Sequence, residues 1–386
     1  RRQRQMCIRD RFRVVTFLVS ALLVSCGGGG SGSDNSVNAT PPITPTPTTG
    51  CSVSFEAGPF TKVWPGLSWE TATPESQGMC PDNINEAMDY AFQDGNFTGA
   101  VIVIRNGYIV AERYADDRMA TDLVTSWSVA KSFTSALIGK ALDEGLISSL
   151  DQQVSEFIPA WKNTDKEVIT LRQLMTVKTA LELLDGGDFY GEEDQLQVSI
   201  DRNLIGQPGE QLYTYSNSDV MLAGEVVRSS TSMTPKTYLD QKIGSVIRFS
   251  GEWWQDTKGH ILTYCCLDST ARDFGRFGLL YARNGEWEGQ EILSDNWITE
   301  STAPALSGQY GFYWWPAPNT GFTALGVQGQ VVAVYPAEDL VIMRFSSYTR
   351  MGDGSVVRTG GNYHATTEPA NFESNTLIDN VLEALE

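Results

Sequence analysis

A serine and a lysine three positions apart, Ser128 and Lys131, are the side chains in this sequence that are best placed to do chemistry. The apolar residues around them recur at helical spacing, which predicts a helix that begins near the serine. Side chains one turn apart share a helix face, so the amine of Lys131 can reach the hydroxyl of Ser128. Burial of this helix would favour a neutral amine that accepts the serine proton. We interpret the pair as a nucleophile beside its base.

A surface lysine on an ordinary helix is the alternative interpretation of the Ser-x-x-Lys pair. Two features favour a catalytic role for this pair. No other lysine of the chain has a serine three positions before it, and the segment around Lys131 is apolar and preceded by Trp127.

A second group of polar residues lies at Tyr215-Ser216-Asn217, after Pro208-Gly209-Glu210, and is the only Tyr-x-Asn in the chain. A tyrosine hydroxyl near Lys131 can carry a proton from Ser128 to a leaving group. Asn217 can orient Lys131 or a substrate carbonyl. The alternative is a buried aromatic residue capped by a turn.

Length and charge limit the classes of function. The chain has 386 residues, enough for one large domain or two, and a formal net charge of −19. A nucleic-acid partner demands the opposite sign of charge, so we expect none.

The N-terminal residues 1–25 have the pattern of an export signal. Arginines precede an apolar run from Val14 to Val24 that is shorter than a typical transmembrane helix. The run ends in Leu23-Val24-Ser25-Cys26, which resembles a bacterial lipobox, where the cysteine is lipidated. The alternatives are an ordinary signal peptide with an incidental cysteine, and a cloning or assembly artefact over about the first ten residues.

Residues 26–62 read as a flexible tether because they are rich in Gly, Ser, Asn, Pro and Thr. We expect a periplasmic or cell-envelope lipoprotein that touches a membrane only through its lipid. The folded domain is then 63–386, with a mostly helical subdomain at about 150–285.

Four cysteines remain besides Cys7 and Cys26, and an oxidising compartment would allow three pairings of them. Cys51 with Cys80 is the preferred pair. The neighbours Cys265 and Cys266 can bond to each other only with strain. No Cys-x-x-Cys is present, so a zinc site is unsupported.

The order of elements predicts one sheet made from both ends of the folded region. Asn106-Gly107 joins two β-rich runs and predicts a hairpin, while Gly145 ends the helix of Ser128. The further predicted elements are helices at 83–92, 170–175, 219–229 and 369–385, and strands at 330–335 and 340–345.

Together, Ser128-Val129-Ala130-Lys131, Pro208-Gly209-Glu210 and Tyr215-Ser216-Asn217 make the chain resemble the serine β-lactamase and penicillin-binding-protein superfamily. The likeness runs from about Trp64 to Phe345. It is greatest to the class C branch with its esterase-like relatives, of the 6-aminohexanoate-dimer hydrolase type. The resemblance implies an α/β (α+β) fold with an antiparallel sheet, flanking helices and an inserted helical subdomain.

The resemblance also implies roles for residues. Ser128 would be the acylated nucleophile, Lys131 its base and Tyr215 the proton shuttle, with no metal or cofactor. The backbone amides of Ser128 and Val327 would form the oxyanion hole. The expected substrate is a small amide or ester, bound by Asn217, Gly326 and Trp315.

Two departures from the family pattern affect these expectations. Ala324-Leu325-Gly326 stands where relatives carry a Lys-Thr-Gly or His-Thr-Gly strand, so no cation is present for a penicillin carboxylate. Either Arg344 or Arg358 is a candidate to replace it. Thr179-Ala180-Leu181 lacks the glycine that relatives have there, which puts the conformation of this loop in doubt.

Competing functions remain open at this stage. A true β-lactamase or a D-amino-acid-specific peptidase is the nearest rival, and a non-catalytic binding protein on the same fold is another. A Ser-His-Asp triad would need His260 or His364, the only histidines, and no Gly-x-Ser-x-Gly is present. His260 is interpreted as a packing or surface residue. The acidic residues before Tyr215 are interpreted as a solvated surface. If they border a cleft instead, they would favour a substrate with a positively charged end.

Overall fold

A six-stranded antiparallel sheet, built from both ends of the folded region, is the central element of the fold. The computed structural model describes residues 51, 58–184, 187–210, 214–304, 310–347 and 372–385. The predicted signal segment, Cys26 and most of the tether lie outside them. The strands are β1 Thr98–Arg105, β2 Tyr108–Tyr114, β3 Leu123–Thr125, β4 Gly251–Trp253, β5 Leu267–Thr270, β6 Glu286–Trp287, β7 Gln290–Glu291, β8 Trp315–Pro316, β9 Phe322–Gly326, β10 Gln330–Tyr335 and β11 Leu340–Ser346.

The order of strands in the large sheet is β2-β1-β11-β10-β9-β8. The predicted sheet from both ends of the domain is therefore confirmed. Asn106 and Gly107 join β1 to β2, both with positive φ, at 54° and 86°. Asn and Gly adopt this conformation more readily than other residues, and the conformation matches the twist of a hairpin. The turn could therefore be predicted from the sequence.

Helices cover both faces of the sheet. They are α1 Pro81–Ala91, α2 Ala130–Asp143, α3 Leu171–Met175, α4 Gly187–Tyr190, α5 Gln195–Asp201, α6 Asn217–Thr231, α7 Pro235–Leu239, α8 Ser245–Ile247, α9 Ala271–Ala282, α10 Asp295–Thr302 and α11 Ser374–Glu383. On one face, α1 and α11 pack on Val101 and Val103 of β1. On the other, Ile102 and Ile104 join the core that contains α2 and α9. Because β1 is buried on both faces, its sequence is a continuous apolar run rather than an alternating one.

The stretch at about 150–285 contains helices α3 to α9. It also contributes β4 and β5, which join β3 in a small second sheet of order β3-β5-β4. The helix α6 begins at Asn217, where the Ser216 side chain accepts a hydrogen bond from the backbone N–H of Asp219. This capping is the local reason why the Tyr215-Ser216-Asn217 segment turns from loop into helix.

Some element ends differ from the sequence prediction. Helix α1 begins at Pro81 rather than Asn83, because proline is well suited to the first helical position. Helix α2 ends at Asp143, and Gly145 follows with φ of 69°, as expected. Helix α11 begins at Ser374 rather than at the predicted residue 369, which lies outside the described residues.

Two disulfides are present. Cys51 bonds to Cys80, which confirms the preferred pair. Cys265 also bonds to its neighbour Cys266, a pairing that the sequence analysis expected only with strain. Among the described residues, no helix combines the length and apolar content needed to cross a membrane.

Candidate active site

Ser128 lies in the short turn that leads into α2. A 3₁₀ turn covers Trp127–Val129, and α2 continues from Ala130. The segment is fastened to the strand region around β5, because Ser126 N–H donates to the carbonyl of Leu267 and Cys266 N–H donates to that of Trp127. The hydroxyl thus stands at a helix N-terminus, where negative charge is stabilised. The Ser128 side chain remains partly exposed and accessible.

The Lys131 side chain is held between Ser128 and a backbone carbonyl. Its Nζ atom lies 2.8 Å from Oγ of Ser128 and 2.8 Å from the carbonyl oxygen of Tyr264. Lys131 is only 1% exposed, which is unusual for a lysine. The surface-lysine interpretation is therefore wrong, and the predicted contact between the two side chains is present.

Aromatic rings surround the Lys131 amine. The ring centroid of Tyr215 lies 4.8 Å from Nζ, and that of Tyr264 lies 5.6 Å from it. Tyr215 stacks on Trp315, with ring centroids 6.0 Å apart, and contacts Tyr310 edge-on. The structure thus brings Tyr215, predicted as the shuttle, beside Lys131, and stacks Trp315, predicted to bind substrate, on Tyr215.

The end of β9 packs directly on the segment that carries Ser128. A Cβ atom added at Gly326 would lie 2.5 Å from the carbonyl oxygen of Ser126, so only glycine fits there. Val327 follows in the turn after β9, with 49% of its surface exposed. This close contact places the Val327 segment next to the Ser128 turn, the arrangement that two oxyanion-hole amides need.

The segment of Tyr215 is anchored by a buried ion pair. Nη2 of Arg202 lies 2.7 Å from Oδ1 of Asp219, and the two side chains are 1% and 2% exposed. Asp219 also accepts from the hydroxyl of Thr179, at 3.0 Å. Asn217 is buried at the first position of α6, two residues after Tyr215. The sequence did not reveal this anchor, because Arg202 and Thr179 belong to no recognisable motif.

A second aromatic cluster flanks the serine. Trp127 contacts both Tyr190 and Trp254, with ring centroids 6.4 Å and 6.3 Å away, and Tyr190 contacts Tyr264 at 5.4 Å. Trp254 is 3% exposed and packs in the core. Tyr264 was missed entirely, since its contribution to Lys131 is a backbone carbonyl that any residue type can supply.

Arg344 does not replace the missing cation of the family strand. It is 0% exposed and donates to backbone carbonyls of Gln328 and Gly329, on the far side of the turn from Gly326. That candidate is therefore wrong, because the guanidinium is engaged inside the protein. Arg358 lies outside the described residues.

Within the described part of the chain, one group of possible metal ligands lies apart from the disulfide-bonded Cys51 and Cys80, which have Asp82 nearby. Ligand atoms of Asp194, Asp256 and His260 lie within 4.8 Å of one another. However, Asp256 already accepts backbone N–H groups of Gln195 and His260, and His260 Nε2 lies 3.4 Å from Asp194. These contacts satisfy the carboxylates without an ion, and we interpret the group as loop fastening. His260 is partly exposed and lies against Asp194, which agrees with its interpretation as a packing or surface residue.

Comparison with known proteins agrees with this geometry. The sequence model described as Beta-lactamase matches residues 82–360, more than half of the chain. This chain belongs to the beta-lactamase family. A curated relative, the 6-aminohexanoate-dimer hydrolase of Paenarthrobacter ureafaciens, is 22% identical over 293 residues, which cover 65% of this chain and 73% of that protein.

Solved structures show the same beta-lactamase fold. A Bacillus anthracis protein assigned as a 6-aminohexanoate-dimer hydrolase aligns with TM-score 0.63 and 22% identity, covering 84% of this chain and 86% of that chain. A family VIII carboxylesterase aligns with TM-score 0.60 and 17% identity, covering 82% and 99%. The predicted superfamily and fold are confirmed, and the chain is a serine hydrolase of this family.

Proposed function

We propose that this beta-lactamase-family protein cleaves small amides or esters through an acyl-enzyme on Ser128. The observation that carries the proposal is the buried Lys131 amine, 2.8 Å from the Ser128 hydroxyl and fixed from behind by the carbonyl of Tyr264. A nucleophile and base within hydrogen-bond reach, with the base oriented by a third group, is the arrangement that activates serine.

The contacts of Lys131 favour its action as a base. A neutral amine has two N–H groups and one lone pair. When one N–H is donated to Tyr264, the amine is oriented and its lone pair can face Ser128. Ser128 Oγ then attacks the substrate carbonyl carbon while its proton passes to Lys131 Nζ.

The resulting tetrahedral oxyanion would be stabilised by the backbone N–H groups of Ser128 and Val327. The leaving alcohol or amine takes up the proton, delivered from Lys131 by way of the Tyr215 hydroxyl, and departs from an acyl-Ser128. A water molecule then attacks the acyl carbon, gives its proton back through the same groups, and releases the acid.

The substrate class follows from the strand next to the serine. Strand β9 carries Ala324, Leu325 and Gly326 and no cation, so it offers no charge to a penicillin carboxylate. A charge-assisted hydrogen bond is worth ~1.5–3 kcal/mol, so its loss weakens lactam recognition roughly 10–100-fold. Neutral acyl groups lose nothing by this change. The names of the relatives, an amide hydrolase and a carboxylesterase, support the same substrate class.

A substrate panel tests the proposal. We expect a higher kcat/KM for p-nitrophenyl butyrate and for 6-aminohexanoate amides than for nitrocefin, with the Ser128→Ala variant as the background control. A kcat/KM that favours nitrocefin tenfold or more would identify a true β-lactamase instead. If the wild-type protein binds these three compounds but hydrolyses none of them, the non-catalytic alternative is favoured.

We also propose that the protein is an exported lipoprotein attached to a membrane through Cys26. Support comes from the Leu23-Val24-Ser25-Cys26 pattern and the glycine-rich segment after it. The Cys51–Cys80 disulfide fits an oxidising compartment such as the periplasm.

A further inference from the structure

The turn that carries Val327 is held by buried polar side chains on the opposite side from Ser128. This turn, residues 327–329, joins β9 to β10, and it places both Gln328 and Gly329 at positive φ, 66° and 76°. Such a conformation is costly for glutamine, so the surrounding structure must hold it.

The guanidinium of Arg344 supplies most of that hold. Its Nη1 atom lies 2.6 Å from the carbonyl oxygen of Gln328 and 3.0 Å from that of Gly329. The Nε and Nη2 atoms donate to Thr98 Oγ1 and to the carbonyl of Asn96, next to β1. The guanidinium of Arg344 therefore connects the turn to the neighbouring part of the sheet.

Two further side chains complete the arrangement. Ser346 Oγ donates to the Gln328 carbonyl and accepts from Arg344 at 2.6 Å. The Gln330 amide donates to the carbonyl of Val327 at 3.0 Å, and its oxygen accepts from Ser346 N–H at 2.9 Å. Arg344, Gln330 and Ser346 are each at most 1% exposed. Buried polar groups that are all hydrogen-bonded fix one geometry, because any other leaves a group unsatisfied.

The turn has little room to shift. A Cβ atom at Gly329 would lie 2.8 Å from Nη1 of Arg344 and 2.7 Å from the Phe372 ring, and Gly326 on the other side is pressed on Ser126. The carbonyl of Val327 and the next two carbonyls are all hydrogen-bonded, so the backbone of Val327 is fixed between the clamp and the Ser128 turn.

We propose that Arg344, Gln330 and Ser346 form a clamp that positions the backbone N–H of Val327 for the oxyanion of the substrate. They are positioning residues, since their contacts are to the turn. The inference rests on the proposed function and adds to it residues that act through Val327. Arginine suits this role because its planar fork reaches several carbonyls at once, whereas a lysine ammonium cannot reproduce that geometry.

The test compares Arg344→Lys and Ser346→Ala with Arg276→Lys. Arg276 is a matched control, because it is 3% exposed and donates to the carbonyls of Pro65 and Gly66 rather than to the Val327 turn. For each variant we would measure kcat and KM for p-nitrophenyl butyrate, inhibition by a boronic acid, and Tm. A boronic acid bonded to serine presents a negative oxygen to the oxyanion hole, so its affinity reports on the Val327 N–H.

We expect kcat to fall roughly 10–100-fold in both clamp variants with little change in KM, since full removal of an oxyanion donor costs about 10²–10³. Boronic acid affinity should fall by a similar factor. Arg276→Lys should retain the wild-type kcat and boronic acid affinity, even if its Tm changes. If Arg344→Lys fails to fold, the test of the clamp rests on Ser346→Ala, which is the smaller change because it removes only one hydroxyl group.

Two contrary outcomes are distinguishable. If the wild-type protein hydrolyses the ester and Ser346→Ala retains both the kcat and the boronic acid affinity, the clamp proposal is wrong but the proposed function stands. Loss of activity that merely follows Tm in all three variants, Arg276→Lys included, would also overturn the clamp alone. Wild type that shows neither hydrolysis nor boronic acid binding would overturn the proposed function, and the clamp with it.

Discussion

The amine of Lys131, in the first turn of the buried helix α2, lies 2.8 Å from the hydroxyl of Ser128, in the 3₁₀ turn just before that helix. This distance is what allows the pair to act, as we propose, as a nucleophile with its base. The pair depends on Tyr264, more than a hundred residues later, whose carbonyl fixes the amine from the other side.

Replacement of Lys131 by alanine should lower kcat for p-nitrophenyl butyrate by about 10³-fold or more. General-base contributions are typically ~10²–10⁴-fold, and more is lost when nucleophile and base act as a unit. Lys140→Ala is the matched control, since Lys140 lies on the same helix and pairs with Glu144 near its end. Equal kcat values for the two variants would refute the base assignment.

Replacement of Tyr215 by phenylalanine should keep the fold and slow turnover by ~10²-fold. The ring that stacks on Trp315 is retained, while the hydroxyl that we propose as the proton relay is lost. The pH profile of kcat and the Tm would be recorded beside those of Tyr108→Phe, a hairpin control. An unchanged kcat and pH profile in Tyr215→Phe would show that the hydroxyl takes no part.

How far the sequence could predict this protein depends on how local each feature is. The Asn106-Gly107 hairpin and the Ser128 helix were predictable, because turn chemistry and helical spacing act over a few residues. The Tyr264 carbonyl contact was not, since a backbone group leaves no sequence signal and the partners are distant in the chain. Arg344 was misjudged for a related reason: its role depends on strand neighbours that only the fold brings together.

The loop at Ala180 shows a different limit of sequence patterns. The family resemblance predicts glycine there, and the alanine left the backbone conformation of this loop open. The structure keeps the left-handed conformation at Ala180, with φ of 60°, and at Val177, with φ of 48°. The Thr179 hydroxyl, which donates to Asp219 and accepts from Leu181 N–H, fastens the loop between them. Tertiary contacts thus offset a local conformational cost of order 1 kcal/mol.

Removal of one partner of the buried Arg202–Asp219 pair should be strongly destabilising. Asp219→Asn is expected to lower the free energy of unfolding by about 3–5 kcal/mol, because an unpaired arginine charge stays buried. Asp89→Asn, which breaks the exposed pair with Arg113, should change it by less than about 1 kcal/mol. Urea unfolding of both variants measures this, and similar losses would contradict the assigned role of burial.

Replacement of Cys26 by serine should release the protein from the membrane fraction of bacterial cells. Stable attachment requires a lipid modification that serine cannot carry in a lipobox, and two or more acyl chains are needed to hold a protein firmly. Cys7→Ser is the matched control and should stay with the membrane. If wild type and Cys26→Ser partition alike, the lipoprotein proposal is wrong.

Covalent labelling of Ser128 tests the central claim most directly. The wild-type protein would be treated with a fluorophosphonate, digested, and its peptides analysed by mass spectrometry, alongside Ser128→Ala and Lys131→Ala. We predict one adduct, on the peptide that contains Ser128, absent from Ser128→Ala and formed far more slowly in Lys131→Ala. An adduct on another residue, or ester hydrolysis by wild type with Ser128 unlabelled, would contradict the account.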